Sequence, residues 1–411
     1  MKVLLINTFD RWGAANACIR LHLGLLNSGI DSKLLVKHKS KDIYNSFEFN
    51  SERINKSSFW KKLLGFLSYY RILKFIYKRP ENLEYFSYPD TKIDITNSDL
   101  YKEADIIHLH WVSDYIDYTS FFKLNDKPIV WTLHDMNPFS GGEHYIEKFY
   151  GLDELGFPKK RDYTIVEKEL FKKIVEIKKK SIRSIHKINL VILNSWMDKE
   201  VKKSIFKHYP RFKIPNGISS EMFKLLSKTN CRIELNLPLD TSIVLFVADS
   251  LNNERKGFNY LKKVIDKHKF DDIIFCSVGE DLNHNFNSTN YKSFGRIEEI
   301  KLLNKIYCAA DFFIIPSLID NLPSTIIESF LSGTPVLGFP VGGIKYMIKK
   351  YKNGLLTESI NVESLVNGIQ KMLVYKDKFD SEKIREDALN YYSQENQIES
   401  YIKLYKEILD E

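Results

Sequence analysis

A chain of 411 residues is too long for one core of ordinary size and suits two domains. With 44% hydrophobic and 28% charged residues it reads as globular. Lysine plus arginine number 61 against 53 acids, a net charge of +8 that favours anionic partners (phosphorylated donors, lipid headgroups or nucleic acid) without choosing among them.

Lys2 to Asn7 reads as a buried first strand, its apolar part too short for a signal peptide. The loop Thr8 to Ala15 holds Gly13 with Trp12 beside it and leads into a predicted helix from Asn16 to Gly29. Strand, glycine-bearing loop and helix make a nucleotide-fold opening, although no GxGxxG is present. Asp31 to Leu35 is a second strand, and residues 38–100 carry little pattern. Within them Lys61 to Arg79 is basic and aromatic, with polar or small residues at every third position. Such a period precesses around a helix of about 3.6 residues per turn, so no apolar face stays on one side. Two readings stay open: short helices packed on the domain, or a basic, greasy surface meeting anionic membrane lipid or a lipid-linked acceptor. No run of eighteen apolar residues occurs, so no membrane span is expected.

Ala104 to Trp111 and Pro128 to Leu133 are strands ending in polar tips, the second at His134-Asp135. Strand ends in open α/β sheets line the ligand crevice. His108 and His110 are two apart and share a face on a strand. With His134 and Asp135 they suit either a metal or the hydroxyls of a sugar; His108 alone also reads as a satisfied core histidine. Asp162 to Ile185 is a lysine-rich helical stretch, and Asn189 to Leu193 a strand leading to Asn194. In the turn Lys213 to Ile218, Asn216-Gly217 is expected to supply positive φ, and a second domain begins near Ser219. The scattered Cys18, Cys231, Cys276 and Cys308 show no zinc spacing; Cys276 and Cys308, in apolar runs, read as core thiols of a reducing compartment.

Ser242 to Ala248 is the first strand of that domain, followed by a loop carrying Arg255 and Lys256 before Gly257. The pair is either an ordinary exposed one or two fixed cations for a leaving group that gains negative charge. After a strand at Ile273 to Gly279 comes the turn Phe294-Gly295-Arg296-Ile297. The most informative stretch runs from Phe312 to Gly343. A short buried strand stops at Pro316, a loop follows, and a helix runs from about Thr325 to Ser332 with Ser324 placed to cap it. A second apolar run closes in Gly342-Gly343. A helix start facing a polar loop is an anion site. Asp320 precedes it and Glu328 lies in its first turns, with seven residues between them. These are paired ligand carboxylates, or surface acids that merely suit the dipole.

Together these segments resemble the retaining glycosyltransferases of family 4, in the variant where Asp-Asn-Leu-Pro precedes the helix. The likeness rests on the block PSxxDNLPSTxxESxxSGTPVxxFxxGG from Pro316 to Gly343, the DIIHxHW run ending at Trp111, TxHD ending at Asp135, PNGI at Pro215 to Ile218, and NGLL at Asn353 to Leu356. It covers nearly the whole chain. The resemblance implies that Asp320 touches the donor sugar's hydroxyls and Glu328 the ribose, while Arg255 and Lys256 grip the diphosphate. His134 would sit beside the anomeric carbon, and Gly13 would let backbone approach the donor. Asn321, Leu322, Pro323, Ser324 and Thr325 would complete the donor side, with Arg296 and Ile297 in the turn that reads the base. His108, His110 and Trp111 would face the acceptor. His134, Asp320, Arg255 and Lys256 would form the catalytic group. Two departures stand out: Glu143 lies where relatives begin a cysteine cluster, and Ile344-Lys345-Tyr346 lacks their proline and acid.

The expected architecture is α/β, the GT-B fold: two Rossmann-like domains facing a cleft. Residues 1–217 form the acceptor side, 218–388 the nucleotide-sugar side, and 389–411 a helix crossing back. The implied reaction moves a sugar from a UDP- or GDP-sugar to a hydroxyl of a glycan or lipid-linked acceptor in surface polysaccharide assembly, with retention. The expected setting is cytoplasmic, at the inner face of the membrane, with no nucleic-acid partner. No metal or other cofactor is expected, since no donor-metal DxD motif occurs and imidazoles suit magnesium poorly. Alternatives are a non-catalytic nucleotide-sugar-binding subunit or another enzyme of the same architecture, such as an epimerase.

Overall fold

The computed structural model describes residues 1–51, 79, 83–146, 148–183, 185, 187–268, 270, 272–280 and 289–410. The stretch 61–78, on which the membrane reading rests, lies outside them.

In the first domain the strands are β1 (Lys2–Phe9), β2 (Asp31–His38), β3 (Ser46–Glu48), β4 (Ile106–Leu109), β5 (Ile129–Leu133), β6 (Phe149–Leu152), β7 (Pro158–Lys160), β8 (Ile188–Ile192) and β9 (Arg211–Lys213). All but β6 and β7 join one parallel sheet, in the order β3-β2-β1-β4-β5-β8-β9. The second domain adds β10 (Ser242–Ser250), β11 (Ile273–Glu280), β12 (Tyr291–Ser293), β13 (Phe312–Ile315), β14 (Val336–Gly338) and β15 (Gly354–Leu356). They form a second parallel sheet, ordered β12-β11-β10-β13-β14-β15. A parallel sheet is covered on both faces, which is why the central strands β1, β5, β10 and β13 carry continuous apolar runs rather than an alternating pattern. Two Rossmann-like domains of the GT-B kind result. Strand order reverses at β1, between β2 and β4, and at β10, between β11 and β13. Crevices open at the carboxyl ends of such strands.

Between β9 of the first sheet and β10 of the second, Ile218 N–H donates to Tyr392 O at 2.9 Å. Neither Asn216 nor Gly217 adopts positive φ, so that expectation is corrected. Gly217 is required by close approach instead: a Cβ there would stand 2.6 Å from Ser393 O. The last helix, Gln394–Asp410, lies on the first domain, with Ile398, Tyr401, Leu404 and Tyr405 packed among Val3, Leu5, Cys18 and Leu21. All four cysteines are buried and unpaired.

Two local boundaries move. β1 runs on to Phe9, and the first helix begins at Trp12 rather than Asn16, spanning Trp12–Asn27 with Trp12 itself at φ 72°. Pro323 occupies the N-cap position of the helix Ser324–Leu331 without a side-chain cap bond, so Ser324 is its first residue and not its cap. Around Glu143 the chain builds a buried ion pair, Arg161 Nη1 to Glu143 Oε1 at 2.6 Å, with Arg79 Nη2 at 3.3 Å. From there the β6–β7 hairpin reaches across to the second domain, where Val362 N donates to Gly156 O at 3.1 Å.

Gly342 and Gly343 form the seat of the loop before Ser324–Leu331. Gly342 has φ +47°, and a Cβ on Gly343 would stand 1.6 Å from Asn321 O. Gly343→Ala is therefore expected to cost about 1–3 kcal/mol through forced displacement of that loop, read as a lower midpoint in urea. Gly13→Ala, where nothing lies within 4 Å of the added carbon, should leave the midpoint unchanged or raise it.

Candidate active site

The cleft brings the ends of β1, β4 and β5 opposite those of β10 and β13. On the second-domain side, Asn253 caps the short turn Glu254–Lys256 by accepting from Arg255 N at 3.0 Å. Gly257 then lets this turn lie directly on Pro316 O. That contact sets the two cations beside the loop after β13. Lys256 Nζ lies 2.8 Å and Arg255 Nη1 3.0 Å from the same oxygen, Oδ2 of Asp320. Asp320 is buried, which by itself would raise its pKa, but Lys256 and Arg255 override this and hold it down at about 2.

Arg255 is tied further. It donates to Ile319 O at 3.0 Å, its Nε bonds Glu84 from the first domain, and its guanidinium stands 4.6 Å from the Tyr145 ring centroid. Glu84 also accepts from Asn253 Nδ2 at 3.0 Å, and its pKa is held at about 2, burial again being overcome by Arg255. Arg255 is thus buried between two carboxylates, whereas Lys256 keeps a quarter of its side chain exposed, at 25%.

Glu328 sits one turn inside its helix, half-buried, and accepts from Tyr307 OH at 3.1 Å. Burial raises its pKa to about 6. On the facing side His134 is also half-buried, its Nε2 2.9 Å from His110 Nδ1. Burial lowers its pKa to about 4, so at neutral pH it presents an uncharged ring suited to hydroxyls. His110 has a buried Nε2 without a hydrogen-bond partner. Trp111 donates to Asp135 Oδ2 at 2.8 Å and stacks on His144 with ring centroids 4.8 Å apart. Asp135, His144 and Ser87 are linked at 2.5 and 2.7 Å in the order of a nucleophilic triad. Ser87 is buried, so this relay fixes the Trp111 ring rather than presenting a nucleophile.

Of the two readings of His108, the structure favours the satisfied core histidine. His108 is fully buried, with Nδ1 2.6 Å from Tyr405 OH and Nε2 2.8 Å from Thr132 Oγ1; both nitrogens are spent inside the fold and none faces an acceptor. Asn321 spends its side chain between domains: Nδ2 donates to Leu133 O and His134 O, each at 3.0 Å, and Oδ1 accepts from Asn194 Nδ2 at 2.8 Å. Leu322 packs in the core of the second domain. Pro323, Ser324 and Thr325 supply the start of the helix Ser324–Leu331. Gly13 lies in the first turn of Trp12–Asn27. Arg296 is exposed on the surface, 3.3 Å from Glu298, with Ile297 beside it against the core.

Glu84, Tyr145 and Asn194 were not singled out from sequence. Asn194 carries a helix-cap signal, since its Oδ1 accepts from Trp196 N and Met197 N, and that local role hides its second one. Among the described residues, no group of three or more histidine, cysteine or acidic residues is placed to hold a metal ion. No helix among them is long and apolar enough to cross a membrane.

Residues 241–374 match the family model described as Glycosyl transferases group 1. A glycogen synthase of Clostridium beijerinckii is 28% identical over 208 residues, 47% of this chain and 43% of that protein. A UDP-Gal:alpha-D-GlcNAc-diphosphoundecaprenol alpha-1,3-galactosyltransferase of Escherichia coli is 24% identical over 170 residues, 39% of this chain and 44% of that one. The chain thus spans less than half the length of either relative. In fold it is similar to a sucrose-phosphate synthase of Thermosynechococcus elongatus, with TM-score 0.71, 16% identity, and coverage of 100% and 99%. The family match lies within the second domain, and the structural likeness is one of fold, the GT-B kind.

The Glu328 environment has a pH signature. Its folded pKa, about 6, lies above its ordinary value of 4.5, so the folded state binds more protons between those values and loses stability as pH rises through them. Glu328→Gln removes that loss. Its stability relative to the parent should rise by about 2 kcal/mol from pH 4 to pH 7, as measured by urea unfolding at each pH.

Proposed function

We propose that the chain is a retaining glycosyltransferase. It moves a sugar from a UDP- or GDP-sugar to a hydroxyl of a glycan or lipid-linked acceptor in surface polysaccharide assembly, at the cytoplasmic face of a membrane. The observation that carries this reading is the Asp320 carboxylate, gripped by Lys256 and Arg255 across the cleft from the neutral His134. The Escherichia coli relative's name gives a UDP-sugar donor and a diphosphoundecaprenol-linked acceptor, which supports both substrate classes.

In this reading Glu328 holds the ribose and Asp320 the sugar hydroxyls. Breaking the bond from the anomeric carbon to the diphosphate oxygen leaves charge on the phosphate. Lys256 and the positive end of the helix Ser324–Leu331 stabilise that charge. The acceptor oxygen attacks on the same face, and its proton passes to the departing phosphate oxygen. Asp320 is already engaged by two cations and is not freed as a covalent nucleophile.

Cationic side chains rather than a divalent ion neutralise the leaving group in this account. Release of nucleotide from a donor sugar should therefore persist in EDTA. Lys256→Ala should slow it roughly a hundredfold, the scale for removing one transition-state contact. Loss of release on chelation, restored by magnesium, would refute the metal-free mechanism.

A further inference from the structure

Arg20 lies two turns into the helix Trp12–Asn27, which starts at the cleft. It is about 12 Å along the axis from Trp12, and helical side chains tilt back toward the N-terminus, so its long arm points to the cleft end. Its backbone is fixed there, since Gln394 Nε2 donates to Arg20 O at 2.7 Å. The guanidinium Nε is buried with no hydrogen-bond partner. Among the described residues no carboxylate lies within ion-pair distance of the guanidinium.

The buried arginines Arg255, Arg161 and Arg232 differ, since each is matched to a carboxylate. A buried donor left open in a cleft calls for a partner that arrives with the ligand. The charge of Arg20 is felt on both walls: Glu328 in the second domain raises the guanidinium pKa against the larger lowering by burial, and Arg20 in turn helps lower that of His134. A donor whose ribose meets Glu328 and whose sugar meets His134 carries its diphosphate between them.

We propose that Arg20 is the first domain's phosphate-binding cation, meeting the diphosphate of a nucleoside diphosphate sugar from the side opposite Lys256. The inference rests on the donor reading above. It gives the ligand a cation on each domain. Arg255, enclosed by Glu84 and Asp320, then serves to hold Asp320 in place.

Calorimetric titration of the parent, Arg20→Gln and Arg20→Met with UDP, GDP, uridine and guanosine tests this. Arg20→Gln should weaken the tighter nucleoside diphosphate by roughly tenfold to a hundredfold and leave the matching nucleoside unchanged. Arg20→Met, which removes the buried polar atoms together with the charge, gives the same comparison if the glutamine variant does not fold. Parent-like affinity for the diphosphate would overturn the proposal. So would an equal loss for nucleoside and diphosphate, which would assign Arg20 to the ribose side or to the fold. If the parent binds neither diphosphate, the donor reading fails and this inference with it. A parent that binds beside an unaffected Arg20→Gln removes only the role of Arg20.

Discussion

Both amide protons of Asn321 are given to carbonyls of the opposite domain, Leu133 O and His134 O, and its oxygen is taken by Asn194. A buried carboxamide left with open valences costs about 1–3 kcal/mol, so this set holds as a unit. One residue before it stands Asp320, and one of its acceptors is the backbone of His134. Asn321 thus ties the facing groups of the cleft together, with Gly342 and Gly343 clearing the space the loop needs. Glu84, which grips Arg255 from the first domain, is a second tie between the same two walls.

Charge is distributed unequally around these ties. Arg255 is buried between Glu84 and Asp320, one from each domain, and its carboxylates stay ionised well below the usual range. A buried pair of this kind is costly to break because the survivor is left uncompensated. Lys256 remains partly open, and Glu328 is poised near neutrality by burial. The arrangement separates groups that hold the site together from groups that remain available to a ligand.

The sheets were legible because strands covered on both faces carry continuous apolar runs, as residues 3–6, 129–131, 243–248 and 312–315 do. Asp320 and Glu328 were located by the strand-helix-strand pattern around them, and Lys256 by the strand-to-helix loop before Gly257. What sequence did not reveal depends on partners far along the chain. His108 is satisfied by Tyr405, 297 residues away, and Arg255 by Glu84, 171 residues away. Asn321 stands in a motif that resembles a donor loop, but its partners Leu133 and His134 lie at separations of 188 and 187. Gly217 belongs to a dipeptide that favours turns with positive φ, yet the backbone at Ser393 and Gln394 decides its role. Local signals set the elements, and long-range packing chose which polar groups were left open.

The central claim is that the cleft between the domains binds a nucleoside diphosphate sugar. The most direct test is thermal unfolding of the purified chain with a panel of UDP- and GDP-sugars and their parent nucleosides, because a ligand bound only by the folded state raises the midpoint by mass action. The account predicts a rise with at least one nucleoside diphosphate sugar, larger than with its nucleoside, and a much smaller rise in Glu328→Ala. No shift with any of them at millimolar concentration, or the same shift in Glu328→Ala, would contradict it.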